Sequence, residues 1–149
     1  MPVNLFIHLT WTTYRRMPMI GVSEAAFLKR FLPAEAQRHG ARVIVLGLVQ
    51  DHLHMVLRLP AAYDLPRLVQ GFKGASARLA NRDVAISRAG LRWAEGYDAR
   101  SVGPRQLADV IAYVKRQATR HPDRALPTCP PAEAAKARRA ARRPAGDTS

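Results

Sequence analysis

The chain has 149 residues, of which 48% are hydrophobic, which suits a single domain with a sizeable core and excludes a disordered or fibrous protein. Its 24 basic residues outnumber 11 acidic ones, and the resulting charge of +13 makes nucleic acid the first partner to consider. Of the basic residues 20 are arginine, although genomic base composition also produces an arginine bias. The single cysteine, Cys129, excludes an internal disulfide and a cysteine-based zinc site. The sequence has no apolar run of membrane-spanning length and no signal-peptide pattern, so we expect a cytoplasmic protein.

The first predicted element is a strand over residues 3–13, where apolar side chains alternate with more polar ones. His8 falls on the polar face of this strand, and we assign it a structural role. A helix follows. Ser23 is its predicted N-cap, Pro33 is expected to kink or restart it, and Gly40 is expected to end it.

Two apolar runs then predict a β-hairpin, one over residues 41–49 and one over His52–Leu59, joined at Gln50 and Asp51. The next predicted element is a helix with Asp64 as N-cap and Pro66 in its first turn. Its inward-facing residues are predicted to be Leu65, Leu68, Val69, Phe72 and Leu79. Its outward-facing residues are predicted to be Arg67, Lys73, Arg78 and Arg82.

Residues 90–102 predict a loop and a short strand, and Gly103 and Pro104 introduce a last helix. From residue 123 the composition becomes rich in proline, alanine and arginine. We therefore expect one domain over residues 1–122 and a C-terminal tail over 123–149. The order β-α-β-β-α-β-α predicts an α+β fold, a ferredoxin-like or RRM-like antiparallel sheet with helices packed on one face.

Two histidines lie one residue apart in the second strand of the predicted hairpin. Because side chains alternate along a strand, His52 and His54 share a face with their Cα atoms roughly 6.6 Å apart, close enough for both imidazoles to bind one metal ion. A His-x-His pair also arises by chance, so the alternative is two half-exposed strand histidines without a ligand.

The apolar residues of the last predicted helix form one core-facing stripe: Leu107, Val110, Ile111, Val114 and Ala118. Tyr113 and Gln117 lie four residues apart on one flank of that stripe, where a phenol and an amide oxygen meet at one site. Each also has an ordinary explanation, since a flanking tyrosine often only packs and glutamine is a common exposed helix former.

Several stretches, in this order, resemble the single-tyrosine HUH transposases of the insertion sequence 200 type and their relatives associated with repetitive extragenic palindromes. They span about residues 4–121 and read HLTWTTYRRMPMI, VQDHLHMVLRLP, GFKGASARLANR, RWAEGYDARSV and VIAYVKRQATRH. The chain departs from the family at Gln50 and Asp51, where Pro-Asn or Pro-Asp is expected, at Lys115 and Arg116, and in its short arginine-rich tail. None of these departures falls on a presumed ligand.

The resemblance implies a metal-dependent transposase that cuts and rejoins single-stranded DNA through a 5′-phosphotyrosine intermediate. It makes Tyr113 the nucleophile, and His52, His54 and Gln117 the ligands of a divalent ion, Mg²⁺ or Mn²⁺. It also implies a homodimer, with the active site assembled within one subunit or between two, that recognises imperfect hairpins at DNA ends.

Binding of single-stranded DNA requires basic side chains and surfaces on which bases stack. The candidates for backbone contacts are Arg15, Arg16, Lys73, Arg78 and Arg105. The candidates for stacking are Trp11, Trp93 and Tyr97. Basic residues on helix surfaces are usually only solvated, and Trp11, on the apolar face of its strand, is expected to belong to the core.

Two other functions stay open from the sequence. One is a noncatalytic RRM-like domain that stacks bases on sheet aromatics, although no obvious aromatic pair is present. The other is a related HUH enzyme, either a relaxase or replication initiator or a host-tamed relative of the transposases. Small size and a single helical tyrosine favour a transposase over a relaxase, but they do not separate it from a tamed relative.

Overall fold

The computed structural model describes residues 4–117. The strands are β1 (Leu5–Thr12), β2 (Arg42–Leu48), β3 (His52–Leu59) and β4 (Asp98–Val102). The helices are α1 (Val22–Arg38), α2 (Leu65–Gln70), α3 (Ser76–Arg82) and α4 (Leu107–Lys115), with a π-helical turn (Gly71–Ala75) between α2 and α3 and a 3₁₀ turn (Tyr14–Arg16) after β1. The predicted tail over 123–149 lies outside the described residues.

The four strands form one antiparallel sheet in the order β2-β3-β1-β4. The predicted α+β, ferredoxin-like fold is confirmed, and β3 has the predicted bounds. The register sets β1 against β3 so that Thr10 is opposite His54 and Thr12 is opposite His52. Because cross-strand partners share a face, these four side chains project from the same side of the sheet.

The other side of the sheet is the core. Leu9 and Trp11 of β1 pack with Leu53 of β3, Leu28 of α1 and Phe72 of the π turn, and all five are almost fully buried. Burial of a large apolar side chain contributes about 1.5–3 kcal/mol, so this layer of helices on sheet holds the strands in register.

Helix α1 begins earlier than its sequence predicts. Gly21 is the N-cap, because its carbonyl accepts from the Ala25 amide, and Ser23 lies inside the first turn with its hydroxyl donating to Glu24. Pro33 neither breaks nor restarts the helix. The predicted end is right: Gly40 adopts φ +74, in the left-handed region that glycine favours.

The helix after Asp64 is interrupted rather than continuous. The Asp64 carboxylate accepts from the Arg67 amide, so the predicted N-cap is confirmed. Leu79, however, is 37% exposed, whereas Ala80 is fully buried. The π turn adds one residue to the helical count, which rotates every later side chain by about 100° and moves Leu79 outward.

Helix α4 packs on the face of the sheet opposite to the other helices, against β2 and β3. The prediction that the helices pack on one face is therefore wrong for α4. Among residues 4–117, no helix is long and apolar enough to cross a membrane. One face of the sheet is therefore filled with core side chains, and the other holds the histidines beneath α4.

Candidate active site

The polar face of β1 and β3 brings three side chains together. His8, Thr10 and His54 meet because β1 and β3 are antiparallel neighbours. A hydrogen bond of 2.9 Å joins His8 Nε2 and His54 Nδ1, and another of 3.1 Å joins Thr10 Oγ1 to the same nitrogen. The His8 and His54 rings stack with their centroids 5.1 Å apart. The orientation of the His54 ring is thus set by β1.

The predicted histidine pair is buried, not half-exposed. His52 and His54 are 5% and 8% exposed, and their ring centroids are 5.0 Å apart. The Asp51 carboxylate lies 2.7 Å from His52 Nδ1, and it accepts a hydrogen bond from this nitrogen. A carboxylate in this position fixes the imidazole tautomer and makes the opposite nitrogen, Nε2, the one suited to bind a metal ion.

A glycine in β2 lets α4 approach the sheet. Gly47 is the cross-strand partner of His54. A Cβ atom at Gly47 would lie 2.5 Å from the Val114 carbonyl oxygen and 3.4 Å from Gln117 Cγ. The α4 backbone therefore occupies the space that any side chain at this position would fill, which places Gln117 beside the strand partner of His54.

Helix α4 faces the sheet with a different stripe from the predicted one. Val114 is fully buried and Gln117 is 1% exposed, whereas Leu107 and Ile111 of the predicted stripe are partly exposed. Residues three or four positions apart lie on the same side of a helix, and Gln117 follows Val114 by three residues and Tyr113 by four. Tyr113 on α4, and Gln117 two residues after its end, therefore lie on the sheet-facing side rather than on the flank.

Tyr113 lies beside both histidines of the stacked pair. Its ring centroid is 5.7 Å from that of His54 and 5.9 Å from that of His8, edge-on in both cases. These residues open onto a cavity of about 650 Å³ between α4, β1 and β4. Asp98 and Arg100 of β4 also line it, so the Tyr113 ring lies at the wall of a cavity with charges of both signs.

The sequence pattern does not indicate that His8 contacts His54 at the candidate site. Burial lowers the pKa of His8; Asp98 opposes this shift and Arg100 reinforces it, so the folded protein favours the neutral imidazole. The alternation of β1 places His8 on the polar face, but only the register between β1 and β3 places it against His54. No local signal in the sequence gives that register.

Among the described residues, the buried amide of Gln117 has an oxygen without a hydrogen-bond partner. Its Nε2 donates to the Tyr113 carbonyl at 3.3 Å, while among residues 4–117 no group hydrogen-bonds to its Oε1. A buried acceptor without a donor costs about 1–3 kcal/mol unless a ligand completes it. An amide oxygen is a donor type that Mg²⁺ and Mn²⁺ prefer, and an imidazole is a common donor to divalent metal ions, so the donor types present fit a divalent ion. Within the described chain, no cluster of three or more histidine, cysteine, aspartate or glutamate side chains suited to a metal occurs.

The predicted DNA-contacting residues are dispersed. Arg15 and Arg16 are exposed in the turn after β1, both with positive φ, at 52° and 53°. Arg78 and Arg105 are exposed on α3 and before α4. Lys73 is engaged already: its ammonium donates to the carbonyls of the loop before β4, and burial lowers its pKa, with Glu95 opposing that shift.

The predicted stacking residues divide between core and surface. Trp11 is 2% exposed, so its expected place in the core is confirmed. Trp93 is 9% exposed, packs edge-on against Trp11 and donates its indole N–H to Ser76. Tyr97 is 40% exposed and keeps a face open to solvent.

Comparisons with known proteins agree with this fold. The sequence profile of the family described as Transposase IS200 like matches residues 2–117. A crystal structure of a protein from Deinococcus radiodurans R1, provisionally assigned as a transposase, is similar at a TM-score of 0.59 and 25% identity over 78% of this chain and 93% of that one. The REP-associated tyrosine transposase bound to a REP hairpin shares the fold, with a TM-score of 0.62 at 10% identity over 79% of this chain and 68% of that one. The comparison with curated proteins finds no match.

Proposed function

The chain belongs to the family of IS200-like transposases, and from that membership we propose that it cuts and rejoins single-stranded DNA through a covalent bond between Tyr113 and a 5′ phosphate. The observation that carries the proposal is the meeting of Tyr113 with His54, from elements about 60 residues apart, at a cavity that Asp98 and Arg100 also line. Neither a noncatalytic RRM-like domain nor a purely structural histidine pair requires a tyrosine at this position.

The chemistry assigned to Tyr113 is transfer rather than hydrolysis. The Tyr113 oxygen attacks the phosphorus of a phosphodiester and gives up its proton. The bond from phosphorus to the 3′ oxygen breaks, and that oxygen takes up a proton as a free 3′ hydroxyl. A 3′ hydroxyl of a second strand later attacks the phosphotyrosine, which rejoins DNA and restores the phenol. The energy of the original bond is kept, so no nucleotide cofactor is needed.

We propose His52, His54 and Gln117 as the ligands of a divalent ion, Mg²⁺ or Mn²⁺. When bound, such an ion polarises a phosphoryl oxygen and neutralises the charge that develops on it. The unpartnered Gln117 oxygen and the Asp51–His52 contact support this assignment. His8 and Thr10 hold the His54 ring from the side of Nδ1, which suits ligation through its other nitrogen.

The proposed DNA partner and oligomeric state are those that the family implies. The REP-associated relative is bound to a hairpin, and we propose that this chain recognises hairpins at DNA ends as a homodimer in the cytoplasm. Arg15, Arg16, Arg78 and Arg105 are the proposed backbone contacts, together with Lys73, whose ammonium would have to serve both the loop carbonyls and DNA. The proposed transposase domain comprises residues 1–122, followed by a tail over 123–149.

The direct test is formation of a covalent adduct. The full chain is incubated with single-stranded DNA hairpins and Mn²⁺ and then analysed on a denaturing gel. We expect a DNA-linked band with the wild type, none with Tyr113→Phe, and an unchanged band with Tyr63→Phe, which alters a tyrosine that is 52% exposed on another surface. His52→Ala should lower Mn²⁺ affinity and adduct yield together.

The same experiment separates the alternatives. Tight DNA binding by the wild type with no adduct at any Mn²⁺ concentration would favour the RRM-like domain. Adduct formation by Tyr113→Phe at the wild-type level would refute the assignment of the nucleophile.

A further inference from the structure

The polar face of the sheet continues beyond the candidate active site, and its far end is basic. The side chains there are those of Arg42 on β2, Arg58 on β3 and Arg100 on β4, together with Phe6 on β1, and we call this set the arginine face. The register shows that they share one side of the sheet: Arg58 is opposite both Arg42 and Phe6, and Arg100 is opposite His8. All three arginines are exposed, and Phe6 is half-buried.

Two of these arginines are direct cross-strand neighbours. Arg42 and Arg58 are paired in register on adjacent antiparallel strands, so their Cα atoms are about 4.5–5.5 Å apart. The planar guanidinium forks of two neighbouring arginines match phosphate oxygens in pairs.

The arginine face is continuous with the cavity at Tyr113. Arg100 belongs to both, because it lines the cavity and is the strand partner of His8. Arg58 lies four residues after His54 on the same strand and face, about 13 Å along β3. A DNA strand whose phosphate is at Tyr113 would therefore reach the arginine face with its next few nucleotides.

Phe6 indicates which form of DNA this surface suits. It lies in the same row as Arg58 and Arg42, across the sheet, with part of its side chain open to solvent. An aromatic side chain among cations offers a surface on which unpaired bases stack while their phosphates meet the arginines. A duplex has no unpaired base to place there. Arg100 also forms an ion pair with Asp98, at 3.1 Å.

We propose that the arginine face binds the single-stranded DNA flank next to the phosphate held at Tyr113, through its backbone and without regard to sequence. This inference rests on the proposed function, because it takes Tyr113 as the point from which the flank extends. It assigns to Arg42 and Arg58 a contact that adds affinity without taking part in the chemical step.

The test compares two double variants of the full chain. Arg42→Gln/Arg58→Gln removes two charges from the arginine face, and Lys29→Gln/Arg30→Gln removes two charges from the exposed side of α1. The probe is fluorescent oligothymidylate, which has no hairpin, and its affinity is measured by anisotropy across a salt series. Each phosphate contact to a single strand contributes about 0.7 to the slope of log affinity against log salt.

We expect Arg42→Gln/Arg58→Gln to bind at least ~10-fold more weakly at low salt and to lose about 1.4 from the magnitude of the salt slope, for two contacts. Lys29→Gln/Arg30→Gln should keep the wild-type slope. Equal slopes for the two double variants would overturn the inference. Should the first double variant fail to fold, Arg42→Gln alone, on the edge strand β2, gives the same test with about half the change in slope.

A further readout separates the possible failures. With saturating DNA, Arg42→Gln/Arg58→Gln should still form the Tyr113 adduct. Adducts with no difference in slope would refute the inference alone, and a difference in slope with no adduct from the wild type would refute the proposed function alone.

Discussion

His8 links the fold to the candidate site at the scale of a single residue. It contacts His54 through one ring nitrogen, and its ring lies edge-on to Tyr113. Its buried position disfavours the charged imidazolium. A histidine assigned a structural role from the sequence is therefore the side chain that holds a proposed metal ligand in place.

The lowered pKa of His8 predicts a pH dependence of stability. Below its ordinary value of 6.5, His8 binds a proton more readily in the unfolded chain than in the folded one, so the free energy of unfolding falls as the pH drops through this region. His8→Gln should remove this contribution. Urea denaturation of metal-free protein between about pH 5 and pH 7.5 should show a shallower pH dependence for His8→Gln. Parallel curves would contradict the prediction.

Gln117 carries a second prediction, in which stability and metal binding change in opposite directions. Gln117→Leu removes the buried acceptor that has no partner among residues 4–117, so the free energy of unfolding without metal should rise by about 1 kcal/mol. The affinity for Mn²⁺, measured by calorimetry, should fall at least ~10-fold because a ligand is lost. A less stable variant with unchanged Mn²⁺ affinity would show that Gln117 only packs.

At the scale of elements, the approach of α4 to β2 positions Tyr113. Gly47→Ala would place a Cβ atom 2.5 Å from the Val114 carbonyl, so α4 must move away from the sheet. We expect a loss of about 1–3 kcal/mol in stability and a lower yield of adduct.

Gly74→Ala is the matched control for this change. A Cβ atom at Gly74 would meet nothing within 4 Å, and the position is helical. The variant should form adduct at the wild-type level and be equally or slightly more stable, because alanine is the better helix former. Equal effects of the two glycine substitutions, measured by denaturation and adduct yield, would mean that the contact between α4 and β2 does not position Tyr113.

Elements with a strong local signal could be predicted, and those defined by packing could not. The hairpin was predictable because two apolar runs flank a polar turn, and β3 begins and ends where the sequence indicates. The exposure of Leu79 was not predictable, because no local sequence pattern indicates the π turn. For α4, Val114 belongs both to the apolar stripe predicted to face the core and to the side that faces the sheet in the structure. The contact between the α4 backbone and Gly47 determines which side faces the sheet. That contact joins residues 67 positions apart.

At the scale of the whole molecule, the sheet separates stability from function. One face holds the core, and the other holds the buried histidines, the Tyr113 cavity and the arginine face. The order of elements predicts this fold from the sequence, and the resemblance to the family supplies the roles of Tyr113, His52, His54 and Gln117. The registers of β1 with β3 and with β4 and the close approach of α4 come only from the structure, and the two registers bring His8 and Arg100 to the same site.

The position of α4 also predicts how the site is assembled. Within one chain, α4 places Tyr113 beside the chain's own His54. A mixture of Tyr113→Phe and His54→Ala subunits should therefore form no more adduct on a denaturing gel than the two variants do separately. Recovery of activity in the mixture would mean that two subunits exchange α4, with Tyr113 of one serving the histidines of the other.

The attachment point of DNA tests the central claim most directly. After reaction with a single-stranded DNA hairpin and Mn²⁺, the adduct is digested with protease and nuclease, and mass spectrometry locates the residual nucleotide. The account predicts a 5′-phosphate-linked nucleotide on the peptide that contains Tyr113 and on no other. A nucleotide on Tyr14, Tyr63 or Tyr97, or a linkage through a 3′ phosphate, would contradict it.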